Sequence, residues 1–330
     1  MKKAIVLMLT LGFIAIITAL VLYTLSIAQK SFDVVAMIDA QNQYALGFKD
    51  FDKLLHENTK EVKDADTLDM LLSASTIPPI TEPKTGLTVG FEMRPLMRRL
   101  NLNAILTQLA GAEGNCDLNL TTELLCRPLD RFFDKYEIRD KRTMIDLLVD
   151  TVDRDDLELG SETEIANEDI DFAQGRIYSY HHLQKIFRRY YRLTSDKNVF
   201  RLDRAHVEDV FYFGDTNLSR DMLDCRMDLT STEDPFSYIL PAHMVAMEVV
   251  DPDYYCALFR DKSPALSVEP ELQNLKKLFR IKQFDLNNTK SKYLLKCNLI
   301  LGTANQENEL RFTYDISHKR IESIDESVSK

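Results

Sequence analysis

The chain contains no tryptophan, and only ten glycines and ten prolines among its 330 residues. So few chain breakers exclude collagen-like and low-complexity classes. Gly-x-Ser-x-Gly, a phosphate loop and a dinucleotide fingerprint are all missing, which removes the enzyme classes that those motifs serve. Cys-x-x-Cys is missing too, and His181 and His182 are adjacent, so the usual zinc spacings do not occur. His181, His182, His206 and His243 have no recognisable partner motif and read as ordinary surface or core histidines. Positive charge is in short supply. Against 52 Asp and Glu stand 41 Lys and Arg, a net charge of -11 and a pI near 5.1, which disfavours nucleic acid as a direct ligand of the surface as a whole.

What is present suits a folded chain, because 45% apolar residues fill a core and 28% charged residues are ordinary. The length allows one large domain or two modest ones. Met1-Lys2-Lys3 precedes an uncharged apolar run from Ala4 to Leu25, long enough to cross a bilayer as a helix. The two lysines put the amino terminus on the cytoplasmic side, so residues from about Ser31 onward lie across the membrane. Without those lysines the exported part carries -11 - 2 = -13. Ser26-Ile27-Ala28 offers the spacing of a signal cleavage site, but the run exceeds the usual apolar region of about 7 to 15 residues, and we read it as a retained helix.

Val34, Ile38, Ala45, Phe48 and Leu55 continue at helical spacing, as a stem leaving the bilayer or as the first helix of a globular domain. Ser73 to Pro83, with three prolines, breaks the pattern, and Thr85 to Glu92 alternates like a short strand. Helical spacing returns at Leu129, Phe132, Phe133 and Tyr136, at Met144, Leu147 and Leu148, and at Leu183, Ile186, Phe187 and Tyr190. Tyr293, Leu295, Cys297, Leu299 and Leu301 then share one strand face, and Glu309 to Asp315 is predicted as the second strand of a closing hairpin.

Four local features give the chain its family likeness. The leader Lys2-Lys3-Ala4 before Ile5 resembles a prepilin peptidase site, with Ala4 where Gly is usual. A cut there makes Leu9 the fifth mature residue, a position at which most pilins carry Glu. Leu100-Asn101-Leu102-Asn103 resembles an asparagine pair that follows a first strand. Leu147 to Asp156 followed by Gly160-Ser161-Glu162 is similar to an acidic helix end and its Gly-small-Glu turn, with Thr151 where Trp is usual. Together they resemble the minor pseudopilin K family of type II secretion systems, whose members likewise lack the Glu.

The resemblance implies an α+β pseudopilin fold: a long N-terminal transmembrane and stem helix, a small antiparallel sheet and a large inserted, mostly α-helical domain. Its parts would be a leader over 1–4, a transmembrane helix over 5–27, stem and first strand over 28–104, the inserted domain over 105–268 and C-terminal strands over 269–330. It also implies a non-enzymatic subunit at the tip of a short periplasmic pilus, capping or initiating it for protein secretion or DNA uptake. Its partners would be other minor pseudopilins, the inner-membrane assembly platform and the prepilin peptidase, with methylation of the new terminus. The rival is a single-pass membrane protein with an extracytoplasmic binding or scaffold domain.

Asp150, Asp153, Asp155, Asp156 and Glu162 place five carboxylates at a helix end, which suits calcium, as the resemblance also implies, or a solvated acidic turn. Of five cysteines in an exported chain, Cys116 and Cys126 are the expected pair. Cys225 with Cys256 is the weaker pairing, and Cys297 reads as buried and unpaired. Asn119, Asn217 and Asn287 each stand in an acid-x-Asn-x-hydroxyl run, which resembles the extended bacterial N-glycosylation sequon or a plain turn. Lys185 to Arg192 (KIFRRYYR) reads as a helix with an aromatic core face and a basic solvent face that balances the acidic turn, the alternative being a grip on an anion or single-stranded nucleic acid.

Overall fold

The computed structural model describes residues 48–74, 77–81, 88–155, 157–217, 222–228, 231–245, 251–286, 292–303 and 306–329. The leader with Ala4 and Ile5, the apolar run 5–27, the stem up to 47, Asp156 and Asn287 lie outside these. Among the described residues no helix is long and apolar enough to cross a membrane. The chain divides into two units, Met1–Glu57 and Asn58–Lys330. In the first, residues 48–57 are helical, and we number this helix α1.

In the second unit a 3-10 turn (Thr59–Glu61) leads to α2 (Ala65–Ala74). Asp64 begins it by accepting the Thr67 amide at 2.9 Å, while Thr67 Oγ1 accepts the Asp64 amide at 3.1 Å. An antiparallel sheet follows, built from β1 (Ile77–Thr81), β2 (Thr88–Pro95), β5 (Leu294–Thr303), β6 (Gln306–Asp315) and β7 (Arg320–Ser329), in that spatial order. Phe91 opposes Leu299 and Met93 opposes Cys297, which in turn opposes Phe312. All five side chains are buried, so one face of the sheet is the apolar one.

Two strands depart from the sequence expectation. β1 occupies the proline-rich stretch read as a break: Pro78 and Pro79 lie on an edge strand, at a register shift between Ile77 and Ile80, so neither is needed for a ladder bond. β7 follows the expected hairpin and adds a strand beyond β6, with two register shifts against it. Of the expected strand Thr85 to Glu92, Thr88 to Glu92 lie in β2 and 85–87 fall outside the described residues, while the second hairpin strand begins at Gln306.

Between β2 and β5 the chain is mainly helical: α3 (Leu102–Ala110), α4 (Leu120–Lys135), α5 (Lys141–Val152), α6 (Tyr180–Thr194), α7 (Arg204–Val210), α8 (Pro235–Ile239), α9 (Tyr254–Phe259), α10 (Pro264–Val268) and α11 (Pro270–Leu278). The expected helical positions Leu129, Phe132, Phe133, Met144, Leu147, Leu148, Leu183, Ile186, Phe187 and Tyr190 are all buried in one core. Polar side chains fix the helix starts: Asn119 and Thr122 form a capping box on α4, and Asp140 and Ser179 cap α5 and α6. Cys116–Cys126 joins the loop after α3 to α4, and Cys225–Cys256 joins the segment 222–228 to α9. Cys297 is buried and outside both disulfides.

A buried ionic knot ties the helical region to the sheet. Asp224, fully buried, accepts Arg98 Nε at 3.2 Å and the Tyr293 hydroxyl at 2.7 Å on one oxygen, and the Phe284 amide at 3.3 Å on the other. Arg98 also meets Asp69 of α2. Breaking one partner of such a set leaves an uncompensated buried charge, so its members are mutually dependent.

Candidate functional site: the asparagine clamp and the acidic turn

The asparagine pair sits where the chain leaves the sheet for the helices. β3 (Leu100–Asn101) pairs in parallel with β4 (Phe211–Tyr212), which brings the start of α3 beside the loop after Tyr212. Asn101 caps α3 by accepting the Ala104 amide at 3.3 Å, and its Nδ2 donates to the Asp215 carbonyl at 2.7 Å. Asn103, fully buried, donates to the carbonyls of Ile177 at 2.8 Å and Gly214 at 2.9 Å, and accepts the Ile177 amide at 2.8 Å. One side chain thus satisfies backbone groups in two distant loops. A Cβ at Gly214 would fall 2.7 Å from Asn101 Nδ2 and 2.5 Å from the Tyr212 ring, so the close passage of this loop requires glycine.

The acidic turn follows the C-terminus of α5. Asp150 is buried, accepts the Leu159 amide at 3.2 Å, and has its pKa pushed up to about 6 by burial, against hydrogen bonds from Thr163 and Leu159. Gly160 closes the turn through Thr163: its amide donates to Thr163 Oγ1 at 2.9 Å, and a Cβ there would sit 3.0 Å from Thr163 Cγ2. Glu162 adopts a left-handed conformation, φ 61°, and its amide donates to Glu158 Oε2 at 3.0 Å. Arg189 of α6 holds the far side of the turn, with Nε donating to the Glu162 carbonyl at 3.0 Å and a bidentate pair to Glu168 at 2.6 and 2.7 Å.

Among the described residues, the expected calcium donors Asp150, Asp153, Asp155 and Glu162 do not form one group of ligand atoms. Asp150 is buried, whereas Asp155 is exposed and accepts the Leu157 amide at 2.9 Å. Asp153 accepts its neighbour's amide from Arg154 at 2.7 Å, and Glu162 Oε2 lies 3.6 Å from Arg189 Nη2. Among the described residues, Asp224, Cys225 and Cys256 are the one group of three such side chains with ligand atoms within 4.8 Å of one another. The two sulfurs of that group are joined in a disulfide. Asp156, the fifth expected donor, lies outside the described residues.

Sequence reasoning missed Glu164. It is 1% exposed; Gln174 Nε2 donates to its Oε1 at 2.6 Å, and among the described residues no donor meets its Oε2 in hydrogen-bond geometry, although the Ala166 backbone lies near enough to lower its pKa. Burial pushes its pKa up to about 7, with a further upward contribution from Asp150 nearby. Asp146, one turn before Asp150 on α5, is also buried and pairs with Arg142. The signal for both was the 3.6-residue spacing of Asp146 and Asp150 and the second acid after the Gly turn.

His181 is exposed, while His182 is buried against Phe172, ring centroids 4.7 Å apart, and burial pushes its pKa down to about 4. His206 Nδ1 lies 3.0 Å from Asp203, and His243 Nε2 lies 3.5 Å from Glu269. Asn119 is exposed, with its Oδ1 committed to the α4 cap through the Thr121 and Thr122 amides. Asn217 is exposed.

No protein-family model and no curated protein sequence matches the chain. A solved structure does: a chain of the GspK-GspI-GspJ complex from the type 2 secretion system of enterotoxigenic Escherichia coli matches with a TM-score of 0.50, over 88% of this chain and 98% of that one, at 12% identity. At such identity the likeness is one of fold. The fold is α+β and remotely GspK-like.

Proposed function

We propose that the chain is a non-enzymatic minor pseudopilin, placed at the tip of a periplasmic pilus of a type II secretion-like system. The observation that carries this reading is the extent of the structural match, which takes in 98% of a chain from a complex of three such subunits. Four features support it. The helical region rises between neighbouring strands β2 and β5, a bulk that would block lateral addition beyond it. Two disulfides suit an oxidising compartment outside the cytoplasm. The apolar run before the stem supplies an anchor in the inner membrane, with the bulk of the chain periplasmic. Leu9 in place of Glu suits a subunit with no neighbour above it, since an unpaired carboxylate in the apolar filament core is costly.

Partners on this reading are other minor pseudopilins, the assembly platform and the prepilin peptidase. Affinity purification of the full chain from native membranes should co-purify proteins with the same processed, apolar amino-terminal helix. Recovery without them contradicts the proposal.

Calcium enters the proposal at the acidic turn, where the buried carboxylates of Glu164 and Asp150 are the groups that a cation would satisfy. Chelator should lower the melting temperature and added calcium restore it, and Glu164→Gln should abolish both effects. An unchanged melting curve in excess chelator counts against a metal.

A further inference from the structure

Helix α6 contains no Asp or Glu, in a chain with 52 of them. Leu183, Ile186, Phe187 and Tyr190 bury its apolar face, and Arg189 is drawn inward to Glu168 and the Glu162 carbonyl. The expected balance between basic face and acidic turn is therefore made by Arg189. The other cations, Lys185, Arg188 and Arg192, recur at i, i+3 and i+7, one stripe about 10 Å long at a rise of about 1.5 Å per residue, with the His181 ring one turn before them. His181, Arg188 and Arg192 are exposed and Lys185 half-buried, and among the described residues none of the four is in an ion pair.

An exposed ring stands at each end of this stripe. Tyr178 lies 5.6 Å from the His182 ring and carries the Arg176 guanidinium 4.6 Å above its own ring. Phe200 packs 5.2 Å from Tyr191, with exposed Lys197 in the turn before it. At 49% and 56% exposure, Tyr178 and Phe200 are the only exposed aromatic side chains among the described residues. The two exposed aromatics among the described residues thus bracket the line of cations on α6.

This combination selects among anionic partners. An acidic protein face would use the cations and could cover the rings, but it presents no repeated π-faces for them to stack on. A lipid surface would take up the apolar face of a helix, and that face of α6 is already in the core. A single strand of nucleic acid uses both groups, since its phosphates meet the cations and its bases present π-faces to the rings. We infer that α6, with Arg176, Tyr178, Lys197 and Phe200, forms a binding ridge for single-stranded nucleic acid. The local ridge overrides the expectation drawn from net charge, because electrostatic attraction at contact range is set by the nearest unpaired charges, while distant ones are screened beyond about 10 Å. This goes beyond the pilus assignment and does not depend on it.

The test uses the full chain in detergent and a fluorescein-labelled oligothymidine of about 20 nucleotides, followed by anisotropy. With about four phosphates engaged, affinity should fall roughly 50-fold between about 50 and 200 mM salt. Arg188→Glu with Arg192→Glu should weaken binding at least about tenfold at the lower salt, and Phe200→Ala about fivefold or more. These side chains are exposed, so each variant should melt as the parent does, and that melt separates lost binding from lost folding. Absence of binding at low salt, or binding indifferent to all three substitutions, overturns the ridge. Equal competition by polyglutamate makes it an acidic-protein surface instead, and stronger competition by phosphatidylglycerol vesicles makes it a membrane surface. Either outcome overturns the nucleic-acid assignment.

Discussion

Asn103 shows what one buried amide does in this fold. Its three hydrogen bonds, to Ile177 twice and to Gly214, join loops that lie more than seventy residues away in sequence from the start of α3. An alanine there would strand an amide and two carbonyls in the core, each at about 1 to 3 kcal/mol. Asn103→Ala should therefore cost about 3 kcal/mol or more in denaturant unfolding, and a cost under about 1 kcal/mol would show that these loops are held by other means. The asparagines were visible in the sequence as a motif. Their partners were not, because Gly214 and Ile177 reach them only once the helices have packed. The same holds for Glu164, whose burial beside Asp150 depends on the turn folding back over α5, and for Arg189, one of two adjacent arginines, whose inward direction is decided by Glu168.

Elements with a strong periodic signal were legible. α4, α5 and α6 bury the residues that their 3.6-residue spacing selects, and β5 and β6 the residues that alternation selects. β1 was not, because two prolines signal a break unless it is known that the strand lies at an edge. Nor was β7, where Arg320 to Ser329 mixes acids and hydroxyls with three aliphatic residues and two register shifts interrupt the alternation. The cysteine pair at 116 and 126 was legible from spacing alone. It closes a loop with a sequence separation of 10, worth about 3 kcal/mol through the unfolded chain. Cys116→Ser with Cys126→Ser should lower stability by about that amount and leave α4 intact by circular dichroism, because its capping box at Asn119 does not involve the sulfurs. A double variant as stable as the parent would contradict the staple.

At the scale of the whole molecule, charge is sorted rather than spread. A chain of net charge -11 gathers carboxylates at the acidic turn and sets a line of cations along α6 beside it, with Arg189 joining the two. Composition registers only the sum, which is why nucleic acid was disfavoured from sequence and a local ridge for it emerges from the fold. The α+β architecture itself followed from an N-terminal helical stretch, a helical middle and late strands, and the GspK-like match extends over 88% of the chain. The central claim, a processed pilus subunit, is tested most directly by the amino-terminal residue of the mature protein in a native membrane fraction, read by mass spectrometry of its terminal peptide. The account predicts Ile5. A terminus at Met1 would leave an unprocessed bitopic anchor, and one at Gln29 a cleaved signal, and either would contradict it.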